Sequence, residues 1–271
     1  AESLDPLHKN AVNFAVRNGS PINAASGKLW PEACLYESMP EVGSCHLGGK
    51  GEFAPMTFAE FGELPSPRVV KTHAPWHMFP GLRSSSEFPE GVKIVHVTRN
   101  PKDAAVSSYY HAFNPFKQGW PFDAWLKVWV EGLVPNGSFF AYEAGWIAAA
   151  RCYPEQVLCL YFEDVKAAPL EQVARVAAHL GVPTDQALLE RVTEQSTFHQ
   201  MKNAVSTQAK AIEAKGGKAW GAVGHMRKGE IGDWRNHFDS QLSSEFDEIF
   251  QMRMGGTGLT YKLGDGDLLT A

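Results

Sequence analysis

The chain of 271 residues predicts an α/β fold, a central parallel β-sheet flanked by helices. Three observations predict it. Three short β-branched runs, RVVKTH (68–73), VKIVHVTR (92–99) and QVLCLYFED (156–164), are near-continuously apolar, as strands covered on both faces of a parallel sheet are. Helical patterns over 101–113, 121–133, 138–152 and 168–180 lie between and after them, and strands alternating with helices are the mark of a parallel sheet. Polar residues close each run: Lys71-Thr72-His73, Arg99-Asn100 and Glu163-Asp164. In such sheets ligands bind beyond the carboxyl ends of the strands.

In chain order, residues 7–17 (LHKNAVNFAVR) have helical apolar spacing and stop at Asn18-Gly19, a turn or C-cap signal. Residues 18–66 are rich in Gly and Pro and read as mostly irregular. After the second strand, Asn100 suits an N-cap, Pro101 the first helical position and Asp103 the first turn. Residues 169–180 carry Pro at the start and Gly181 just past the end, the usual helix asymmetry. No repeat, low-complexity tract or linker interrupts the chain, so residues 1–271 are expected to form a single domain.

Composition narrows the function classes. Hydrophobic residues at 44% and charged residues at 20% are those of a soluble globular protein, and the net charge of −5 argues against bulk binding to nucleic acid or an anionic membrane. No apolar run approaches the length of a membrane span. Cys34, Cys45, Cys152 and Cys159 form no CxxC pair and no Cys/His group with zinc spacing. They read as reduced thiols of a cytoplasmic protein, and no metal is expected. The N-terminus has no signal-peptide pattern and begins at Ala1 rather than Met, as a processed or cropped start does.

Three segments carry chemistry. In VTRNPKDAAVSSYYHAF a strand ends at Arg99 and a capped helix begins, so free N–H groups and a guanidinium fork face the same place, an arrangement suited to a phosphate. Ser107, two turns on, adds a hydroxyl. In RVVKTHAP, Lys71 and His73 stand two apart on a strand and leave it on one face. A His there can take a proton from an attacking hydroxyl, and a Lys can stabilise charge on a leaving oxygen. In HMRKGEIGDWRNHF, Met226-Arg227-Lys228-Gly229 makes a basic turn able to wrap a phosphate. Each segment also has a plainer reading: a capped helix with a surface Arg, a hydrogen-bonded His beside a solvated Lys, and an exposed basic loop.

Together the three segments resemble the cytosolic sulfotransferase family, which uses the sulfate donor PAPS. KTHAP, TRNPKDAAVSSYYH and MRKGEIGDWRNHF match its motifs, and GSFFAYEAGW, VLCLYFEDVKAAP and STFHQMK fall in the expected order. The resemblance spans about residues 7–262. It implies the sulfotransferase form of the P-loop nucleoside-triphosphate-hydrolase-like fold. It implies His73 as catalytic base and Lys71 as its partner near the sulfuryl group. Arg99 and Ser107 would hold the 3′-phosphate, and Met226, Arg227, Lys228 and Gly229 would close over it. Phe162, Ser196 and Phe198 would complete the nucleotide pocket. The implied reaction moves a sulfuryl group from PAPS to a hydroxyl or amine of a small-molecule acceptor and releases PAP. Tyr36, Trp76, Tyr110, Phe113, Phe139 and Phe140 are candidates to line an apolar acceptor pocket, or else core aromatics.

The chain also departs from the pattern. The family's first strand and its phosphate-binding loop, of the form YPKSGTTW, have no counterpart: the loop would fall on AESLDP (1–6). Neither Gly27-Lys28 nor Gly49-Lys50 completes GxxxxGK[ST], which leaves a P-loop kinase-like enzyme the weakest reading. A Tyr is usual where Phe162 stands, and the dimer motif KxxxTVxxxE is not matched, so oligomeric state does not carry over. Two readings stay open. One is an active enzyme whose first strand and loop lie outside these residues; the other is a non-catalytic relative that binds a nucleotide or small ligand without turnover.

Overall fold

The computed structural model describes residues 22–23, 28–29, 75–78, 88, 90–111, 118–134, 137–214 and 226–271. The predicted helix over 7–17, the predicted strand over 68–73 and the candidates Tyr36, Lys71, His73 and Phe113 lie outside them. The chain folds as two compact units, residues 1–87 with 131–138, and residues 88–130 with 139–271. In the first, β1 (Ile22–Asn23) pairs antiparallel with β2 (Lys28–Leu29), and Trp76–Met78 form a 3-10 turn.

The second unit is built on two of the predicted strands. β3 (Ile94–Thr98) and β4 (Val157–Tyr161) pair in parallel, with Ile94 opposite Val157 and Thr98 opposite Tyr161. Parallel neighbours need a long crossover. Here it contains α1 (Pro101–Tyr110), α2 (Phe122–Val130) and α3 (Phe139–Cys152). After β4 come α4 (Phe162–Ala167), α5 (Pro169–Leu180), α6 (Gln186–Gln195) and α7 (Phe198–Ala214). A 3-10 helix (Asp233–Asn236), α8 (Ser240–Met254) and a hairpin of β5 (Thr260–Gly264) and β6 (Asp267–Thr270) complete the unit.

The expectation that these strands are covered on both faces needs correcting for β3. His96 and Thr98 are buried but Val97 is 55% exposed. One face is covered by α3 and the C-terminal hairpin: His96 stacks on Trp146 at 5.5 Å and pairs with the buried Glu143 at 2.9 Å, and the Thr98 hydroxyl meets that of Tyr261 at 3.1 Å. The neighbouring Cys159 is shielded too, and burial, with the Glu143 charge, pushes its thiol up to about 11.

An aromatic core joins α2, α3 and α8. Trp129, Phe140, Phe246 and Phe250 are nearly or fully buried, and Phe246 packs against both Trp129 and Phe140 at 6.3 Å. Lys102 on α1 is drawn into this layer, 1% exposed, with its ammonium 4.6 Å from the Trp234 ring. A charge so buried must be paired. It donates to Ser243 Oγ and meets Asp247, each at 2.7 Å, which ties α1 to α8.

Candidate functional site

The site grows from the end of β3. Asn100 leaves the strand extended and caps α1: its side-chain oxygen accepts the Asp103 N–H at 2.8 Å, and Pro101 opens the helix. Such a cap is worth about 1 kcal/mol. The Asn100 backbone N–H also donates to Glu163 Oε1 at 2.9 Å, so the start of α4 is fastened to the start of α1. Two strand ends thereby share one edge, as the ligand rule for parallel sheets requires.

Arg99 projects from that edge. Its guanidinium lies 4.5 Å from the centre of the Phe162 ring, one Nη donates to the Glu230 carbonyl at 2.6 Å, and Asp103 stands 3.4 Å away. The basic turn is therefore bound directly to the strand end. Among the described residues Arg99 Nε is buried without a hydrogen-bond partner, and so is Glu163 Oε2. Burial pushes the Glu163 carboxyl up, against the hydrogen bonds from Asn100.

Residues 226–232 form the opposite wall. Gly229 has φ +67, in the left-handed region, and lies so near Phe198 that an added Cβ would be 2.3 Å from the ring. Only glycine meets both demands. Phe198, the first residue of α7, is thereby brought against the turn, with Ser196 exposed two residues earlier. The Arg227 guanidinium lies 4.5 Å over the Tyr110 ring. Ser107, exposed on α1, stands one turn before Tyr110 on the same helix face.

Asp233 controls the charge of this wall. Its carboxylate accepts from Arg227, from Lys228 at 2.5 Å and from Asn236 at 2.9 Å. Burial pushes the carboxyl up, but the bonds from Lys228, Arg227 and Asn236 outweigh it and hold the group well below the usual carboxylate range. Burial also pulls His237 below the usual imidazole range, despite Asp233 at 4.0 Å. Asp233 thus holds both cations of the turn together, next to the point where the Glu230 carbonyl meets Arg99.

The structure thus gathers Arg99, Phe162, Phe198, Arg227, Lys228 and Gly229, with Ser107 one turn from the Tyr110–Arg227 contact; Met226 begins the turn, half-buried. Of the candidate acceptor aromatics, Tyr110 lies at this site, under the Arg227 guanidinium. Phe140 is 2% exposed in the core and Phe139 packs on Trp129 at 5.1 Å. Sequence reasoning passed over Asp233 and gave Asp103 only a first-turn role. The charge pattern Arg-Lys-(x)4-Asp was visible at 227–233, but nothing in it said that the three side chains meet.

Comparisons with known proteins show which family this chain resembles. The family model described as Sulfotransferase domain matches residues 38–258. Sulfotransferase 1C2 of Rattus norvegicus is 32% identical over 73% of this chain and 65% of its own length. Sulfotransferase 1E1 of Homo sapiens is 32% identical over 75% of this chain and 67% of its own. The chain thus spans about 65% of the length of the first of these relatives. Among solved structures, mouse sulfotransferase SULT7A1 complexed with PAP aligns with a TM-score of 0.60 and 26% identity, covering 73% of this chain and 69% of that one. Retinol dehydratase in a complex with retinol and PAP shares the fold at a TM-score of 0.60 and 24% identity, over 74% of this chain and 58% of that one. The matched motifs, their order and the fold that carries them lead to one conclusion: the chain belongs to the sulfotransferase domain family.

Proposed function

We propose that the chain is a PAPS-dependent sulfotransferase acting on a hydroxyl or amine of a small-molecule acceptor, with PAP as the second product. The observation that carries this reading is the convergence of Arg99, held against the Phe162 ring, with the turn of Arg227, Lys228 and Gly229. The orphaned, buried Arg99 Nε is a donor suited to a phosphate oxygen. Arg99, Ser107, Arg227 and Lys228 would hold the 3′-phosphate, and Phe162 and Phe198 would face the base. In the transfer, the acceptor oxygen or nitrogen bonds to sulfur, the bond from sulfur to the bridging oxygen of the 5′-phosphate breaks, and the acceptor proton passes to His73. Lys71 would offset charge on the departing oxygen. Positioning and charge carry such a step, as in phosphoryl transfer.

PAP binding by titration calorimetry tests the nucleotide half. Arg99→Ala is expected to weaken it by about 10- to 100-fold, since a hydrogen bond to a charged group is worth about 1.5–3 kcal/mol. Unchanged affinity would contradict the assignment. Tight PAP binding with no transfer to any acceptor would support a nucleotide-binding relative without turnover.

A further inference from the structure

We propose that Asp103 is a positioning residue for the nucleotide site: it fixes the basic turn of Arg227–Gly229 against the start of α1. The inference rests on the proposed function above. A carboxylate 1% exposed beside a site for an anion is at first sight misplaced, because its charge repels the ligand and its burial costs free energy unless it is bonded. Its bonds resolve the conflict. Asp103 Oδ1 accepts the Trp234 N–H at 2.9 Å, and Oδ2 accepts the Gly232 N–H at 2.8 Å. Oδ2 also takes the Asn100 side-chain amide at 2.9 Å and faces Arg99 at 3.4 Å.

Both backbone donors come from a segment about 130 positions further along the chain, just after the basic turn. That segment belongs to no ladder. Gly229 at φ +67 and Gly232 at φ +86 reverse the chain twice ahead of the 3-10 helix, so no sheet ladder sets where that helix and the basic turn lie against α1. Asp103 does, by gripping two amides across one intervening residue. Through Asn100 the same network reaches Glu163, so α1, α4 and the turn are held by one chain of buried bonds. The spacing between Arg99 and the Arg227–Lys228 pair is set at Asp103.

The sign of one experiment separates this role from two others. Asp103→Asn keeps the shape and one acceptor but turns a donor toward one of the two N–H groups, and it removes a negative charge. If the carboxylate acted on the nucleotide only through its charge, PAP would bind more tightly. If it acted only through stability, a core variant of comparable cost away from the turn, Ile147→Ala, would weaken PAP equally. Positioning predicts a PAP affinity at least 10-fold weaker in Asp103→Asn. The KM for PAPS should rise while kcat and the acceptor KM stay within about twofold, and amide exchange at Gly232 and Trp234 should quicken. Asp103→Glu, which keeps the charge but moves the oxygens, should also lose affinity, whereas Ile147→Ala should not. The inference is overturned if Asp103→Asn binds PAP within twofold of the unmodified chain or more tightly, or if Ile147→Ala reproduces its loss. Failure of the unmodified chain to bind PAP is a different result: it removes the proposed function, and this inference with it.

Discussion

Asp233 takes two cations at once, and that decides how the site answers to pH. Its folded pKa lies below the unfolded value of about 3.9, so its contribution to stability is complete above that value and drains away as pH falls below it. The unmodified chain should therefore be more resistant to urea than Asp233→Asn at pH 6, with the gap narrowing as pH drops from about 4 toward 2. A constant gap over that range would show that the charge is not what Asp233 supplies. Asp103 shows what a residue hides when read from sequence alone. Its place in the Asn-Pro-x-Asp run disclosed a capped helix, because capping is settled within four residues. Its grip on Gly232 and Trp234 joins chain segments that no local pattern connects.

Among elements, the basic turn is the one whose shape is least tolerant of change. Gly229→Ala would place a Cβ 2.3 Å from the Phe198 ring at a φ of +67. The variant is expected to displace Phe198 and to weaken PAP binding by more than tenfold in calorimetry. Gly181 offers the contrast. It closes α5 in the left-handed region at φ +66, yet an added Cβ would meet nothing within 4 Å. Gly181→Ala should cost about 1 kcal/mol of stability, measured by urea unfolding, and leave PAP affinity unchanged.

The C-terminal hairpin lies past the end of the family match at residue 258, but it braces the site from below. Leu263 O accepts from the Trp234 indole at 3.0 Å and from Arg235 at 2.9 Å, and Tyr261 reaches Thr98 next to Arg99. Tyr261→Phe strands the Thr98 hydroxyl in the core and should lower stability by about 1–3 kcal/mol in the same unfolding measurement. Helix ends were harder to read than helix positions. α1 stops at Tyr110 and α2 at Val130, each three residues short of its predicted end, because amphipathic spacing continues past the point where the backbone turns away.

At the scale of the whole molecule, the parallel pairing of β3 with β4 and the helices between them followed from apolar runs and alternation, which are summed over many residues and survive local exceptions. The sulfotransferase family was legible for the same reason: its motifs are long and their order is distinctive. An acceptor pocket was not. Aromatic residues serve cores and pockets alike, and only burial separates them, as Phe140 at 2% exposure illustrates. Lys71 and His73, on which the chemistry of the proposal turns, lie outside the described residues, so their part is for kinetics to decide. The most direct test is transfer of labelled sulfate from PAPS to a panel of phenols and amines by the unmodified chain and by His73→Ala. The account predicts turnover with at least one acceptor and its loss, by 100-fold or more, in His73→Ala; no transfer by the unmodified chain, or transfer indifferent to His73, would contradict it.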